Sequence, residues 1–336
     1  MLLGQLARPV QTAAQGSFET IGTRAQGMGG AFVAVADDAT ATYWNPAGLA
    51  AIPIFDASLT YAESERTNAA GTPTFGVPPA WRTRASSFAI ALPVIGVSYY
   101  SLRATRARAA GEVSPAVAQQ QANTAFAGET TGTWNLGVTL VQSVGDAVVI
   151  GGTLRLVCGG AAVATVLASD ESGALDAADD LNDRSETKFD ADLGAMAYLG
   201  RARIGLTVRN LVAPAWDAAG APPLDTDRLV RVGVAWGPGP VRGRRRWAIA
   251  TDADLTTAQG LDGYRRALAV GAERWFRTGR VAIRGGARAQ TTGDARPVAT
   301  GGASLGVLSW LLLEGQVTAG SDTVERGWGF GARATF

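Results

Sequence analysis

Residues Arg24 to Ala50 are the part of the chain whose residue types and spacing could do chemistry. They read RAQGMGGAFVAVADDATATYWNPAGLA and combine four glycines with two adjacent aspartates and an Asn-Pro-Ala turn. Glycine-rich turns at helix N-termini bind phosphates. The phosphate motifs need either G-x-G-x-x-G in a strand–turn–helix unit or a G-x4-G-K-[ST] loop. GMGGAF fits neither, because no lysine follows and no strand precedes it, so the sequence argues against a nucleotide site.

The remaining composition argues against an enzyme. The 336 residues contain no histidine, which removes the commonest general base and metal ligand. The single cysteine, Cys158, cannot form an internal disulfide or a Cys-rich metal site. A small apolar residue on a strand is the favoured interpretation of Cys158. We expect no catalysis, an outer-membrane lipase or acyltransferase included, and no cofactor.

The charge distribution argues against a nucleic-acid partner. The formal net charge is +1 and no block of like charge occurs. The basic triplet Arg244–Arg246 is interpreted as a solvated turn.

The apolar stretch Val144–Ala168 is not a membrane helix, because Asp146 and Arg155 interrupt it and its glycines and β-branched residues disfavour a helix.

Period-2 alternation instead predicts strands over most of the chain. RGWGFGARATF, at 326–336, places aromatic residues and alanines on one face and glycine, arginine and threonine on the other. Fourteen segments have this pattern. They are 55–65, 83–92, 94–104, 129–143, 146–158, 187–199, 202–212, 228–236, 245–255, 264–275, 280–290, 297–306, 309–319 and 326–336.

The connections between these segments indicate a closed membrane barrel rather than a soluble sandwich. Short turns alternate with long loops at 66–82, 105–128, 159–186 and 213–227, as periplasmic turns and extracellular loops alternate in outer-membrane barrels. The sequence therefore predicts an all-β fold, a transmembrane antiparallel barrel of about fourteen strands. An even strand number places both termini on the periplasmic side of a Gram-negative outer membrane.

Two sets of side chains support this orientation. Aromatic residues at strand ends form two girdles at the lipid interfaces, and charges of both signs fall on the lumen face. The predicted girdle and C-terminal residues are Trp134, Trp236, Trp247, Tyr264, Phe276, Trp328, Phe330 and Phe336. The predicted lumen charges are Arg155, Asp190, Asp192, Arg209, Arg231, Asp252, Asp254, Glu273, Arg284, Arg288, Glu314 and Arg333.

The glycine-rich stretch then becomes a hatch inside the barrel. Asn45 can cap a short helix with Pro46 at its first position, and glycines allow close approach to the wall. Asp37 and Asp38 are expected to meet basic lumen residues. The predicted divisions are a signal-peptide remnant or disordered segment at 1–16, a short helical hatch at 17–53 and a barrel at 54–336. The hatch residues are Gly27, Gly29, Gly30, Phe32, Asp37, Asp38, Tyr43, Trp44, Asn45, Pro46 and Ala47.

The stretch GTRAQGMGGAFVAVADDATATYWNPAGLA resembles the N-terminal signature of PorV/PorQ outer-membrane proteins, relatives of the long-chain fatty-acid transporter (FadL-type) family. DLGAMAYL and LAVGAERWF resemble strands of the same group. The C-terminal GFGARATF resembles the signal read by the barrel-assembly machinery, which is therefore an expected partner. A weak export signal and the acidic loop SDESGALDAADDLNDRSE depart from the pattern.

The resemblance implies passive uptake of fatty-acid-like hydrophobic molecules, gated by the hatch, with outer-membrane lipid around the barrel. VCGGAA marks either a gap in the barrel wall or an ordinary strand end. The alternative function is a secretion-system accessory or structural protein, which would handle exported cargo through loops such as 159–186.

Overall fold

The computed structural model describes residues 12–13, 21–67, 80–109, 124–181, 184–216, 224–238, 247–260, 263–276, 279–293, 295–320 and 325–336. Most of the expected segment 1–16, the first residues of the hatch and the triplet Arg244–Arg246 lie outside these ranges.

Fourteen antiparallel strands form a closed barrel, which confirms the predicted fold class. The first and last strands close it through a continuous register from Thr335 opposite Asp56 to Glu325 opposite Arg66. The strands are β1 Asp56–Arg66, β2 Ala80–Ala91, β3 Ile95–Ala109, β4 Thr124–Val144, β5 Val148–Ala168, β6 Arg184–Leu199, β7 Ala202–Arg209, β8 Leu229–Trp236, β9 Trp247–Asp254, β10 Ala267–Phe276, β11 Val281–Gln290, β12 Val298–Gly306, β13 Leu311–Gly320 and β14 Glu325–Thr335.

Alternation along each strand separates a lipid face from a lumen face. In β10, Leu268, Val270 and Phe276 are exposed on the outside, whereas Ala269 and Glu273 are buried inside. A barrel that spans lipid requires an apolar band on its outer face. It also requires that its backbone groups pair with one another, which a closed sheet provides. No helix among the described residues is long and apolar enough to cross a membrane.

The wall is much taller on one side than on the other. Strands β4 and β5 have 21 residues each, whereas β7, β8 and β9 have 8. Much of the predicted loops 105–128 and 159–186 is therefore strand. Their alanine- and glycine-rich ends hide the alternation in the sequence, but cross-strand pairing between β4 and β5 continues without a break from Val144 opposite Val148 to Thr124 opposite Ala168.

The unbroken pairing also settles the two interpretations of VCGGAA. Residues 157–162 lie inside β5, and Val157 to Gly160 pair with β4 and with β6 in register. Neither a wall gap nor a strand end occurs there.

We call the rim where β1 joins β2 the upper rim and the rim with the short turns the lower rim. Thr12–Ala13 pairs in parallel with Leu224–Asp225, between β7 and β8 at the upper rim, whereas the Phe336 N–H donates to the Phe55 carbonyl at the lower rim. Residues 12–13 thus lie at the rim opposite Phe336. The side of the membrane on which each terminus lies stays a prediction.

Part of the acidic loop forms a helix on the outside of the tall wall. The helix Glu171–Asp179 begins at Asp170, whose carboxylate accepts a hydrogen bond from the Gly173 N–H at 2.8 Å. Its buried side chains Ala174 and Leu175 pack in one cluster with Phe126 and Val166. Phe126 shares the parity of lipid-facing Trp134, so the helix covers the outer face of the sheet above the apolar band.

The hatch lies inside the barrel. It contains the helices α1 Thr23–Gly27 and α2 Ala41–Trp44 and a 3-10 helix Pro46–Ala51. The Asn45 side-chain oxygen accepts a hydrogen bond from the Ala47 N–H at 3.2 Å, which caps the 3-10 helix, and Pro46 takes its first position. Every residue from 21 to 49 is buried.

Candidate functional site

One arginine of the hatch, Arg24 in α1, collects three carboxylates. It donates two parallel hydrogen bonds, each 2.7 Å, to both oxygens of Glu273 on β10. Its remaining terminal nitrogen donates to Asp37 at 2.5 Å and to Asp38 at 3.0 Å. The pKa of the Arg24 guanidinium lies well above its usual range: burial acts to lower it, but the neighbouring carboxylates of Asp37 and Glu273 outweigh that effect. Arg24 therefore ties both the double aspartate and the hatch to the wall.

A second arginine, from the last strand, continues this ionic contact. Arg333 donates to Asp56 at 2.8 Å and lies 3.7 Å from Asp38. The other Asp56 oxygen accepts the Ala39 N–H at 2.8 Å. Asp56 begins β1, so this contact fixes the hatch at the seam where the barrel closes.

Asp252 on β9 holds the turn in the middle of the hatch. One of its oxygens accepts the backbone N–H groups of Phe32 and Val33, both at 2.8 Å. The Phe32 ring meets the Trp44 ring edge to face, with centroids 5.9 Å apart, and the Trp44 indole donates to the Ile21 carbonyl at 2.9 Å. These contacts bind the two ends of the hatch to each other as well as to the wall.

Glycines on both sides let the hatch and wall backbones touch. A Cβ placed on Gly271 or Gly286 of the wall would stand 2.2 Å or 2.3 Å from backbone atoms of Met28. In the hatch, Gly29 has φ +71°, and its Cβ would stand 2.7 Å from the Ala287 nitrogen. Glycine is required at these places because no other residue leaves the space.

The Asn-Pro-Ala turn has the same kind of contact on the other side of the lumen. A Cβ on Gly194 would stand 2.2 Å from the Asn45 side-chain oxygen, and a Cβ on Gly151 would stand 2.7 Å from the Ala47 nitrogen. The Asn45 amide donates to the carbonyls of Val33 and Ala195. Asn45 thus joins two parts of the hatch to strand β6.

The other predicted hatch residues are also buried, each in its own contact. A Cβ on Gly27 would meet the Arg284 side chain at 2.8 Å, and Gly30 has φ +86°. Tyr43 lies under the guanidinium of Arg209, 3.7 Å from its ring centroid. The structure therefore brings the eleven predicted hatch residues together inside the lumen.

Above the hatch, a polar network joins β3, β5 and β6. Arg155 donates to Asp190 at 2.6 Å and to Asp192 at 2.9 Å, and also to the Tyr100 hydroxyl at 2.7 Å. Arg209 donates to the same hydroxyl at 2.8 Å. Because Arg209 also lies on Tyr43, the network is in direct contact with the hatch.

Replacing Arg155 with methionine is expected to lower the melting temperature of the barrel strongly. Asp190 and Asp192 would remain buried without their main counter-charge, which costs about 3–5 kcal/mol for a broken buried pair. Thermal unfolding followed by circular dichroism measures the effect. Arg201→Met, at an exposed lower-rim turn, is the control, and an equal loss in both variants would contradict the prediction.

The remaining predicted lumen charges lie on the inner face as well. Arg231 donates to Asp254 at 2.6 Å, and Arg284 lies 3.4 Å from Glu273 and 3.8 Å from Glu314. Arg288 is half-buried on the same face of β11.

Apart from Tyr264, the predicted girdle residues lie on the outer face. Tyr264 lies instead in a short hairpin of Ala258–Gly260 and Gly263–Arg265, outside the closed barrel sheet. Trp328 stacks on Phe330 with centroids 5.8 Å apart, and Phe336 stacks on Trp310 at 5.9 Å. All are exposed except Trp247, which is half-buried, and the exposed ones are Trp134, Trp236, Tyr264, Phe276, Trp328, Phe330 and Phe336.

Sequence reasoning missed the residues that close the site. Arg24 opens the glycine-rich stretch, but nothing in the sequence indicates its partner on β10, 249 positions away. Asp56, Tyr100 and Trp216 were also missed. The signal available for Arg24 was the coincidence of one cation with two acids in a segment expected to be buried, where charges need partners.

Solved structures of transporters have the same fold. The Ralstonia pickettii toluene transporter TbuX matches with a TM-score of 0.61 and 13% identity, over 95% of this chain and 99% of that chain. The CymD monoaromatic hydrocarbon channel matches with a TM-score of 0.63 and 11% identity, over 95% of this chain and 98% of that chain. A Pseudomonas aeruginosa FadL homologue matches with a TM-score of 0.57 and 12% identity, over 94% of this chain and 97% of that chain. At these identities the likeness shows the fold alone.

Sequence comparison gives one family. The profile described as "F plasmid transfer operon, TraF, protein" matches residues 43–254, from α2 of the hatch to the end of β9 and more than half of the chain. No curated protein sequence matches the chain.

Proposed function

The chain belongs to the family described as "F plasmid transfer operon, TraF, protein", and we propose that it is an outer-membrane barrel of the FadL type that passes hydrophobic small molecules through a lumen closed by its hatch. Its short-turn rim then faces the periplasm and its tall wall stands outside the cell. The kinship with PorV/PorQ proteins, suggested by the glycine-rich signature, is part of the same proposal.

The observation that carries the proposal is the way in which the lumen is filled. The hatch has no covalent link to the wall beyond its connection to β1, and Arg24, Asp38 and Asp252 hold it by ion pairs and hydrogen bonds. Contacts of this kind can break and re-form, whereas a lumen filled by the wall's own side chains could not open.

The neighbours' names favour a hydrophobic cargo. They are called a toluene transporter, a monoaromatic hydrocarbon channel and a FadL homologue. A passive route of this kind needs no catalytic group. Barrel-assembly machinery and outer-membrane lipid are the partners that such a barrel requires.

Uptake across an intact outer membrane tests the proposal, because hydrophobic solutes cross plain phospholipid bilayers unaided. Gram-negative cells that express the protein are expected to take up radiolabelled oleate or toluene faster than cells without it, with no gain for sucrose. Equal rates for all solutes with and without the protein would sink the proposal.

The family description favours a second candidate, a role in plasmid transfer that uses the extracellular side. The wall above the apolar band, with its attached helix, provides a surface for protein cargo. Removing the chain from a plasmid-bearing donor would then lower transfer frequency at least tenfold while oleate uptake stays unchanged. Loss of uptake with normal transfer would reject this candidate.

A further inference from the structure

The inner face of β5 carries a path of mainly apolar residues, with Thr165 between Leu167 and Val163, from the upper rim into the lumen. Leu167 and Val163 are exposed at its upper end, and Ala161 and Val157 are buried further down. These residues share the parity of Arg155, which faces the lumen, so all of them lie on the inner face. Gly159 lies four positions before Val163, a path of about 13 Å along the strand.

The path leads to a site that the protein fills with its own indole. Trp216, in the connection between β7 and β8, is 1% exposed and packs on Val157 and Ala161. A Cβ on Gly159 would stand 2.9 Å, 3.0 Å and 3.3 Å from three atoms of the indole ring. The ring therefore lies against a part of the wall that has no side chain.

The segment that carries Trp216 is tied to the wall at its start, where the Leu211 N–H donates to the Ala191 carbonyl at 2.9 Å and the Val212 N–H donates to Asp190 at 3.1 Å. Close to Trp216 itself, hydrogen bonds with the wall involve Glu186 and Lys188 of β6. The indole N–H donates to the Glu186 carbonyl at 2.7 Å, and the Lys188 ammonium donates to the Ala215 carbonyl. Two non-glycine residues before it, Asn210 and Ala213, have φ of 55° and 53°. A left-handed conformation costs an alanine about 1–2 kcal/mol, so the segment is held under strain.

The site disfavours a charged ligand because its wall is apolar and the charges around it are already paired. Its wall consists of Gly159, Val157 and Ala161. The Lys188 ammonium, 6.0 Å from the Trp216 ring centroid, lies 3.3 Å from a carboxylate oxygen of Glu186, and Arg155 below is paired with Asp190 and Asp192. The polar group that becomes free when the indole leaves is the Glu186 carbonyl, a hydrogen-bond acceptor.

We propose that the inner face of β5 at Gly159 is an entrance site for a flat, uncharged aromatic molecule, and that Trp216 occupies the site until such a molecule displaces it. This inference rests on the proposed transport function, and it names the cargo class and the side chain that controls its access. A ligand with one hydrogen-bond donor reproduces the contact of the indole N–H with the Glu186 carbonyl.

Binding of 5-fluoroindole, followed by 19F NMR with the protein in nanodiscs, tests the proposal. Trp216→Ala empties the site and is expected to bind the probe at least tenfold more tightly than the wild type. Adding Gly159→Leu to that variant fills the site again and is expected to remove the gain. Indole-3-acetate, which adds a carboxylate, is expected to bind Trp216→Ala at least tenfold more weakly than 5-fluoroindole.

Trp134→Ala is the matched control, because Trp134 is opposite Cys158 and lies on the outer face of the same part of the wall. It is expected to leave probe affinity unchanged. Trp216→Phe, a conservative change, is expected to give an intermediate affinity and guards against loss of folding in the alanine variant.

Equal affinity in the wild type and in Trp216→Ala, or a gain that survives Gly159→Leu, would overturn the proposal. Either result would leave the transport function standing if expression of the protein still speeds uptake of oleate or toluene by intact cells. Absence of any such gain would count against the transport function itself.

Discussion

Replacing Arg24 with methionine is expected to convert the closed barrel into a conducting pore. Methionine keeps much of the volume but removes the charge, which leaves Asp37, Asp38 and Glu273 buried around an apolar side chain. Breaking a buried ion pair by removing one partner costs about 3–5 kcal/mol, and here one cation serves three carboxylates. The barrel strands keep their pairing, so the hatch gives way before the wall.

Single-channel recording in planar bilayers measures the change. We expect frequent openings for Arg24→Met and a largely closed wild type. Arg274→Met is the control, because Arg274 directly follows Glu273 on β10 but is exposed on the outer face. Conductance that rises equally in both variants, or in neither, would mean that Arg24 does not hold the hatch. Restoring a closed pore with Glu273→Gln in the Arg24→Met background would show that the Glu273 carboxylate, which loses Arg24 but keeps Arg284 at 3.4 Å, drives the opening.

Valine at Gly286 is expected to force the hatch away from the wall. The new Cβ would stand 2.3 Å from the Met28 carbonyl carbon and 2.5 Å from the Gly29 nitrogen, distances that real atoms do not adopt. Backbone cannot yield as a flexible side chain can, so the hatch must move or the strand must bend. Overpacking of a tight interior costs about 1–3 kcal/mol or more.

The adjacent Gly285 provides a control in the same strand. A Cβ there meets one atom within 4 Å, the Thr300 carbonyl oxygen at 3.8 Å. Gly285→Val is expected to be neutral or slightly stabilising, because valine favours strands. Limited proteolysis followed by mass spectrometry should show cleavage between residues 21 and 49 in Gly286→Val but not in Gly285→Val. Protection of the hatch in both variants would contradict the prediction.

The strand number could be predicted because lipid and lumen impose opposite requirements on alternate residues. RGWGFGARATF and ALAVGAERWF each record that alternation, and the order of the fourteen segments matches the structure. The lengths of the strands were harder to predict from the sequence. Above the lipid both faces are covered by protein, by the helix Glu171–Asp179 outside and by Trp216 inside, so GGAAVA in β5 does not alternate in polarity.

The candidate site, too, could be predicted only in part from the sequence. The position of the hatch followed from glycines and a capped turn that made sense only inside a barrel. The expected contact between Asp38 and a lumen base exists with Arg333 at 3.7 Å, but the strongest cation is Arg24, from the hatch itself. Such pairings depend on strand register and tilt, which a single sequence does not contain.

The contact between Asp56 and Ala39 gives one residue two tasks. Asp56 holds the hatch, and it also begins β1, the strand that closes the barrel by pairing with β14. Substitutions at Asp56 are therefore limited both by the seating of the hatch and by the closure of the sheet, whereas those at Gly271 and Gly286, which contact Met28, are limited by the hatch.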